Sequence, residues 1–149
     1  METPNNIKFR LVSITDEQTQ SIPDGIDRSA ISEESLQFQY KIETVIKFAG
    51  NTITVVPHIR YMLEGAVLFE SSAAFNYSVL PLDAVMDVDQ ENKKLNMKVN
   101  ILPTLLSAAY SSLRGIVYAR TWATPLEKYP IPILDIDMLL SKNGISVIA

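Results

Sequence analysis

Several residue types that carry enzyme chemistry are absent or nearly absent from this chain. It contains no cysteine, which excludes disulfides and thiolate chemistry. Its single histidine, His58, excludes sites built from several histidines and leaves one candidate general base. No Walker loop, G-x-G-x-x-G fingerprint or G-x-S-x-G elbow occurs. We therefore expect a protein that is not an enzyme and that needs no cofactor.

Long apolar runs and runs of basic charge are also missing. No segment reaches the apolar length of a membrane span, and residues 1–5 lack the basic start and apolar segment of a signal peptide. The absence of a basic or basic-aromatic patch argues against a nucleic-acid partner. With 149 residues, 47% hydrophobic residues and a net charge of -4, the chain is typical of one globular domain over 1–149. We predict a cytoplasmic protein without membrane insertion.

Three long segments alternate between apolar and polar residues, and a period of two is typical of half-buried strands. They run from Leu36 to Phe48, from Thr52 to Leu63 and from Val67 to Val79. A shorter strand is expected from Ile7 to Ile14, where it would pair with the main sheet or with a neighbouring chain. On the polar side of the three long strands, basic and acidic residues mix, namely Lys41, Lys47, His58, Arg60, Glu43 and Glu70.

The connections between these strands predict their register. Gly50-Asn51 suits a two-residue type II′ turn, which would pair Ile46 with Val55. The third strand then needs a loop with an odd number of residues, and residues 64–66 supply three. Pro57 lies in the middle of the second strand and has no N–H to donate. We expect a bulge or a break in pairing with the third strand at that point.

Two polar segments are expected to connect the elements without regular structure. The first spans residues 15–34 and crosses the surface, and the second spans residues 83–94. The second contains alternating acidic residues like the opening of a calcium loop, namely Asp87, Asp89 and Glu91. The positions that would need glycine and glutamate carry Asn92 and Lys98. An exposed acidic loop is therefore the expected structure, and no metal site is predicted.

The principal helix is predicted from Asn100 to Thr121, with Pro103 tolerated in its first turn. Apolar residues recur at helical spacing and should lie on the sheet, namely Leu102, Leu105, Leu106, Ala109, Leu113, Ile116 and Val117. A second stripe contains only small residues, namely Ala108, Ser112, Gly115 and Ala119. Glycine inside a helix costs about 1 kcal/mol relative to alanine, so we interpret this stripe as an oligomer interface. An exposed face filled with alanine and serine is the alternative.

Prolines at 125, 130 and 132 keep the segment after the helix extended, although it is rich in apolar residues. A short final helix is expected over Ile136 to Lys142, followed by an apolar tail from Ile145 to Ala149. The predicted fold class is α+β, with a four-stranded antiparallel sheet of long strands that carries one long and one short C-terminal helix on one face.

Three motifs between Asn100 and Leu140 resemble segments of a known family. Asn100-Ile101-Leu102-Pro103 is similar to a helix start, Arg120-Thr121-Trp122 to a turn, and residues 129–140 to a closing segment, all from the SecB family of protein-export chaperones. The order of strands, connector, helix and proline-rich loop is also that of the family. The chain therefore resembles SecB proteins, and their fold is expected.

The resemblance implies an ATP-independent holdase that binds unfolded polypeptide, either for export or for one dedicated client. It implies a homo-oligomer, a tetramer built through sheet edges and helices, with the export motor as a further partner. The client would occupy an apolar groove lined by Phe75, Tyr77, Trp122, Leu126, Tyr129 and Ile131. These residues would equally suit a plain core. Two other functions remain open, an oligomeric scaffold of the same fold without client binding and a small-molecule-binding α+β domain.

Overall fold

The computed structural model describes residues 7–20, 22, 28–89, 91, 94–132 and 145–148. Its strands are β1 (Lys8–Gln20), β2 (Leu36–Lys47), β3 (Thr52–Leu63), β4 (Ala66–Leu80), β5 (Met86–Asp89), β6 (Lys94–Met97) and β7 (Ile145–Ile148). The helix α1 spans Leu102–Thr121, and single 3-10 turns cover Arg28–Ala30 and Leu82–Ala84. The predicted final helix, 136–142, lies outside the described residues.

Four long antiparallel strands form the main sheet, and with α1 they confirm the predicted α+β class. The strand order is β1-β4-β3-β2-β7, and β7 pairs in parallel with β2. Three expectations were wrong. The C-terminal tail adds a strand to the sheet, the segment 83–94 folds into the hairpin β5–β6, and β1 continues through Gln20 where a surface crossing was expected.

The hairpin between β2 and β3 has a different turn from the one predicted. Ile46 pairs with Ile53, two residues away from the expected register, because the loop contains the four residues 48–51. Asn51 adopts the left-handed backbone, with φ of 52°, and its N–H donates to the Phe48 carbonyl at 3.2 Å. Tertiary contacts explain the choice, since the Asn51 side chain accepts the N–H of Leu82 at 3.0 Å. The shift by two leaves every side chain on its predicted face.

The hairpin between β3 and β4 keeps its side chains on the predicted faces, but its turn differs from the predicted one. Only Glu64 and Gly65 form the turn, with φ of 52° and 79°, as a type I′ hairpin requires. The predicted loop had a third residue. In the structure that extra residue lies within β4, as a bulge at Leu68 next to the pair of Tyr61 with Phe69. Two turn residues and one bulge residue preserve the odd count that the buried face demands.

Pro57 interrupts pairing where the sequence predicts it. Val55 pairs with Phe75 and His58 with Ser72, whereas the two β3 residues between them have no partner on β4. On its other side, Pro57 remains paired with Ile42 of β2. The break is confirmed, and its cause is the missing N–H of proline.

The core lies between α1 and one face of the sheet. Burying each large aliphatic or aromatic side chain contributes about 1.5–3 kcal/mol, so this layer supplies most of the stabilisation. The predicted apolar stripe of α1 is buried, apart from the partly buried Ile116. The largest fully buried side chains include Ile42, Ile53, Ile59, Phe69, Phe75, Leu105, Leu106 and Leu113.

Replacing glycine by alanine is expected to have opposite effects on stability at Gly65 and at Gly115. Gly65→Ala should destabilise the fold by about 1 kcal/mol, because a Cβ is disfavoured at positive φ. Gly115→Ala should stabilise it by up to about 1 kcal/mol, since a Cβ there meets nothing within 4 Å and alanine is the better helix former. Urea denaturation at low protein concentration measures both changes. Equal signs for the two variants would contradict the assigned backbone conformations.

Candidate functional site

Side chains hold the proline-rich loop, residues 122–132, against the domain. The hydroxyl of Tyr61 donates to the carbonyl of Tyr129, and that of Tyr110 donates to the carbonyl of Pro132 at 3.0 Å. Arg114 Nε donates to the carbonyl of Ile131 at 3.3 Å. Prolines interrupt this segment and prevent a regular ladder, so side-chain donors satisfy its carbonyls instead. The loop is thereby fixed to both the sheet and the helix.

Burial changes the ionisation of the tyrosines that hold the loop. Burial raises the pKa of Tyr61 to about 12. Burial also raises the pKa of Tyr110, against a smaller opposing effect of the nearby Arg114 charge. The pKa of Tyr77 is raised by burial too, and its hydroxyl lies 3.5 Å from the Leu105 carbonyl. These phenols are neutral donors at physiological pH, which suits a structural role.

A cleft of about 270 Å³ remains between the second half of α1 and the loop. Gly115 lies at its wall, and the lack of a side chain at this position widens the opening. The lining combines apolar and polar groups, namely Tyr61, Ser111, Arg114, Val117, Tyr118 and Ile131. Such a cleft admits one side chain or a short turn of another chain.

The predicted groove residues divide between core and surface. Phe75, Tyr77, Leu126 and Ile131 are buried, Tyr129 is half-buried, and Trp122 is exposed. Only Ile131 among them lines the cleft. The structure thus brings the loop and helix together around a cleft, but it places most of the predicted wall in the interior.

Trp122 and Tyr118 form an exposed aromatic pair at the end of α1. Their ring centroids lie 5.9 Å apart in an edge-to-face arrangement. Trp122 is 60% exposed and Tyr118 is 51% exposed, and Tyr118 also borders the cleft. Large aromatic side chains that stay exposed beside a cleft are typical of a binding surface. Sequence analysis identified Trp122 but did not identify Tyr118, whose helical position gave no apolar pattern.

A row of exposed apolar side chains on β1 was not predicted as a site. Phe9, Leu11, Val12 and Ile14 are each between 44% and 56% exposed. Phe9, Leu11 and Ile14 pair with buried residues of β4, so these three side chains lie on the helix side of the sheet. Val12 lies at a register shift and has no partner on β4. The alternation of apolar residues from Ile7 to Leu11 was the available signal.

The small-residue stripe of α1 is exposed along its length, and its member Gly115 borders the cleft. Arg120 Nη2 donates to Glu17 Oε1 at 3.0 Å, which places the end of α1 beside β1. Ser112 lies eight residues and Ala108 twelve residues before Arg120, and each four-residue step turns about 40° around the helix, so these two side chains lie between the side nearest β1 and the outer face. β1 is the last strand of the sheet on this side, so its outer backbone edge has no partner among the described strands.

Tyr61→Phe tests the role of the buried phenol. At neutral pH the variant should lose about 1 kcal/mol of unfolding free energy, because the Tyr129 carbonyl loses its donor. The raised pKa of Tyr61 favours folding below the ordinary tyrosine pKa of about 10, and this contribution disappears as the pH rises towards about 12. The wild type should therefore lose its advantage over the variant between those values. Chemical denaturation at several alkaline pH values measures the difference, and a constant difference would refute the assignment.

No helix in the described part of the chain combines the length and apolar character that crossing a membrane requires. Compared with models of known protein families and with curated proteins, the chain matches none of them. Its function is therefore inferred from the geometry of the cleft, the aromatic pair and the edge strand.

Proposed function

We propose that this protein is a SecB-like, ATP-independent holdase that binds unfolded polypeptide as a homo-oligomer. The observation that carries the proposal is the exposed aromatic pair in which Tyr118 borders the cleft between α1 and the loop and Trp122 packs against Tyr118. Apolar side chains of an unfolded client would contact these rings, and one of them would enter the cleft beside Gly115. Fully burying an aromatic side chain removes about 150–250 Å² of surface from water. Aromatic side chains are therefore typical anchors of binding sites.

Oligomer formation is the second part of the proposal. The apolar row of β1, Ala108 and Ser112 of α1 lie towards one side of the domain. The outer backbone edge of β1 on that side has no partner among the described strands. A second copy pairing with β1 would supply partners for the edge N–H and C=O groups and would cover Phe9, Leu11 and Ile14. Ala108 and Ser112 would allow its helix to approach closely. Assembly would thus use Ala108 and Ser112, whereas Gly115 of the same stripe borders the cleft proposed for the client.

A scaffold without client binding is the second candidate, favoured by the tethering of the loop. Side chains of Tyr61, Tyr110 and Arg114 hold its carbonyls, and Leu126 and Ile131 are buried. A loop fixed in this way leaves only the cleft and the aromatic pair for a ligand. The two candidates differ in whether unfolded polypeptide reaches Trp122.

Client binding is tested with an aggregating, chemically unfolded protein. The wild type should suppress aggregation at near-stoichiometric ratio, and the Tyr118→Ala/Trp122→Ala double variant should bind client about thirtyfold more weakly, the equivalent of about 2 kcal/mol. Leu80→Ala is the matched control, because Leu80 is exposed but lies on the opposite face of the sheet. Equal suppression by both variants would place the client site elsewhere.

Trp122 emission provides an independent measurement, since it is the only tryptophan in the chain. Adding an unfolded, apolar peptide should shift the emission to shorter wavelength as the indole leaves water. An unchanged spectrum, together with no suppression of aggregation, would refute the holdase and leave the scaffold.

Leu11→Glu should dissociate the oligomer. A carboxylate in the apolar row would be buried without a partner in the interface, at a cost of several kcal/mol. Sedimentation velocity of the wild type should show an oligomer, and the variant should sediment as a monomer with an unchanged circular dichroism spectrum. Leu80→Glu is the control and should retain the wild-type mass. A monomeric wild type would refute the β1 interface.

A further inference from the structure

The face of the sheet opposite α1 carries an excess of positive charge. The strand register places five cationic side chains and two carboxylates in its paired rows, a formal charge of +3 with His58 neutral, in a chain whose net charge is -4. The cations are Lys8, Arg10, Lys41, Lys47 and Arg60, and the carboxylates are Glu43 and Glu70. We call these paired rows the polar face. Its charge is thus opposite to that of the whole protein.

The cations of the polar face form two groups at opposite ends of the strands. Near the β2–β3 turn, Lys47, Thr52, Ser78 and Arg10 occupy one row across four strands, and Lys8 is close to it on β1. These three cations make no ion pair with any residue that the structure describes. All three are exposed in the part of the chain that the structure describes.

The second group of cations, Lys41 and Arg60, is paired within the domain, with the neutral His58 beside them. Lys41 Nζ lies 2.8 Å from Glu43 Oε1, and His58 Nε2 lies 3.5 Å from Glu43 Oε2. The hydrogen bond from Lys41 is the main reason that the pKa of Glu43 is lowered. Arg60 Nε donates to Glu70 Oε2 at 3.0 Å. This end of the face therefore has little net charge but many polar groups.

A concave trough of about 700 Å³ lies at the paired end of the polar face. Side chains from all four long strands surround it, including Gln18, Gln20, Gln39, Lys41, His58 and Arg60. Amide groups both donate and accept hydrogen bonds, as the backbone of an extended peptide requires. The trough thus suits a polar segment more than an apolar one.

The distance between the two groups matches a short peptide. Lys41 and Lys47 are six residues apart on β2, which is about 20 Å at about 3.3 Å per residue. An extended peptide of about six residues covers the same distance. Between the two ends lies a neutral row in which Asn76 bridges Thr54 and Ser13 by hydrogen bonds.

We infer that the polar face is a docking surface for an acidic, extended polypeptide segment. Carboxylates at one end of the segment would pair with Lys8, Arg10 and Lys47, and its polar backbone would lie in the trough at the other end. This partner would be distinct from an unfolded client, because it binds on the opposite side of the sheet from the cleft. The inference does not depend on the proposed function.

Features of the face favour polypeptide over nucleic acid. Its paired rows contain no phenylalanine, tyrosine or tryptophan, so the stacking platforms that bind single-stranded bases are missing. Glu43 and Glu70 would also repel a backbone with one charge on every nucleotide. A peptide can place its carboxylates beside only those cations that have no ion pair among the described residues.

Fluorescence anisotropy tests the inference with a labelled peptide of about ten residues, rich in glutamate, aspartate and serine, long enough to span the face. It should bind at low salt and weaken as salt is added. The Arg10→Glu/Lys47→Glu double variant should weaken binding at least about tenfold, and the Arg10→Gln/Lys47→Gln variant should weaken it less. Lys128→Glu is the matched control, because Lys128 is an exposed cation of the loop beside α1, and its affinity should stay within about twofold.

Several results would overturn the inference. Equal binding of a peptide with glutamine and asparagine in place of the acids would exclude charge recognition. An equal loss for Lys128→Glu and the double variant would exclude the polar face. Tighter binding of a single-stranded DNA of equal charge, lost in the same double variant, would assign the face to nucleic acid instead. No binding of the acidic peptide at low salt would also refute it. The circular dichroism spectrum of each variant verifies folding.

Discussion

The central strand β3 pairs with β2 along its whole length and with β4 along most of its length. Because its side chains alternate between two faces, β3 determines which side of the sheet is buried and which is exposed to solvent. One face carries Ile53, Val55 and Ile59 under α1, and the other carries Thr54, His58 and Arg60. Whether a proposed surface is apolar or polar follows from which of these two faces it lies on.

The irregularities of the sheet preserve that division. The bulge at Leu68 compensates for a turn that is one residue shorter than predicted, and the shift of the β2–β3 register is by two residues. A change of one residue would have turned the apolar set towards water, at about 1.5–3 kcal/mol for each large side chain. Pro57 interrupts pairing without moving the register, since the pairs on both sides of it remain in phase.

The surfaces on the helix side differ in how they satisfy polar groups. The loop carbonyls are satisfied within the domain by Tyr61, Tyr110 and Arg114, which gives the cleft a fixed wall. The outer edge of β1 has no partner among the described strands, so its backbone groups depend on water or on another chain. This contrast is why we propose the cleft as the client site and the outer edge of β1 as the assembly surface.

Local pattern by itself determined the three long strands β2, β3 and β4, their faces, the long helix and the break at Pro57, because each depends on side-chain period or on a missing N–H. Only the tertiary structure decided which residue turns the first hairpin, since Asn51 is selected by its hydrogen bond to the distant Leu82. The same is true of the groove, because the burial of Phe75 and Leu126 depends on where the helix and loop lie. The exposure of β1 likewise depends on its position at the end of the strand order. A sequence period specifies a face, but what covers that face is a property of the assembled elements.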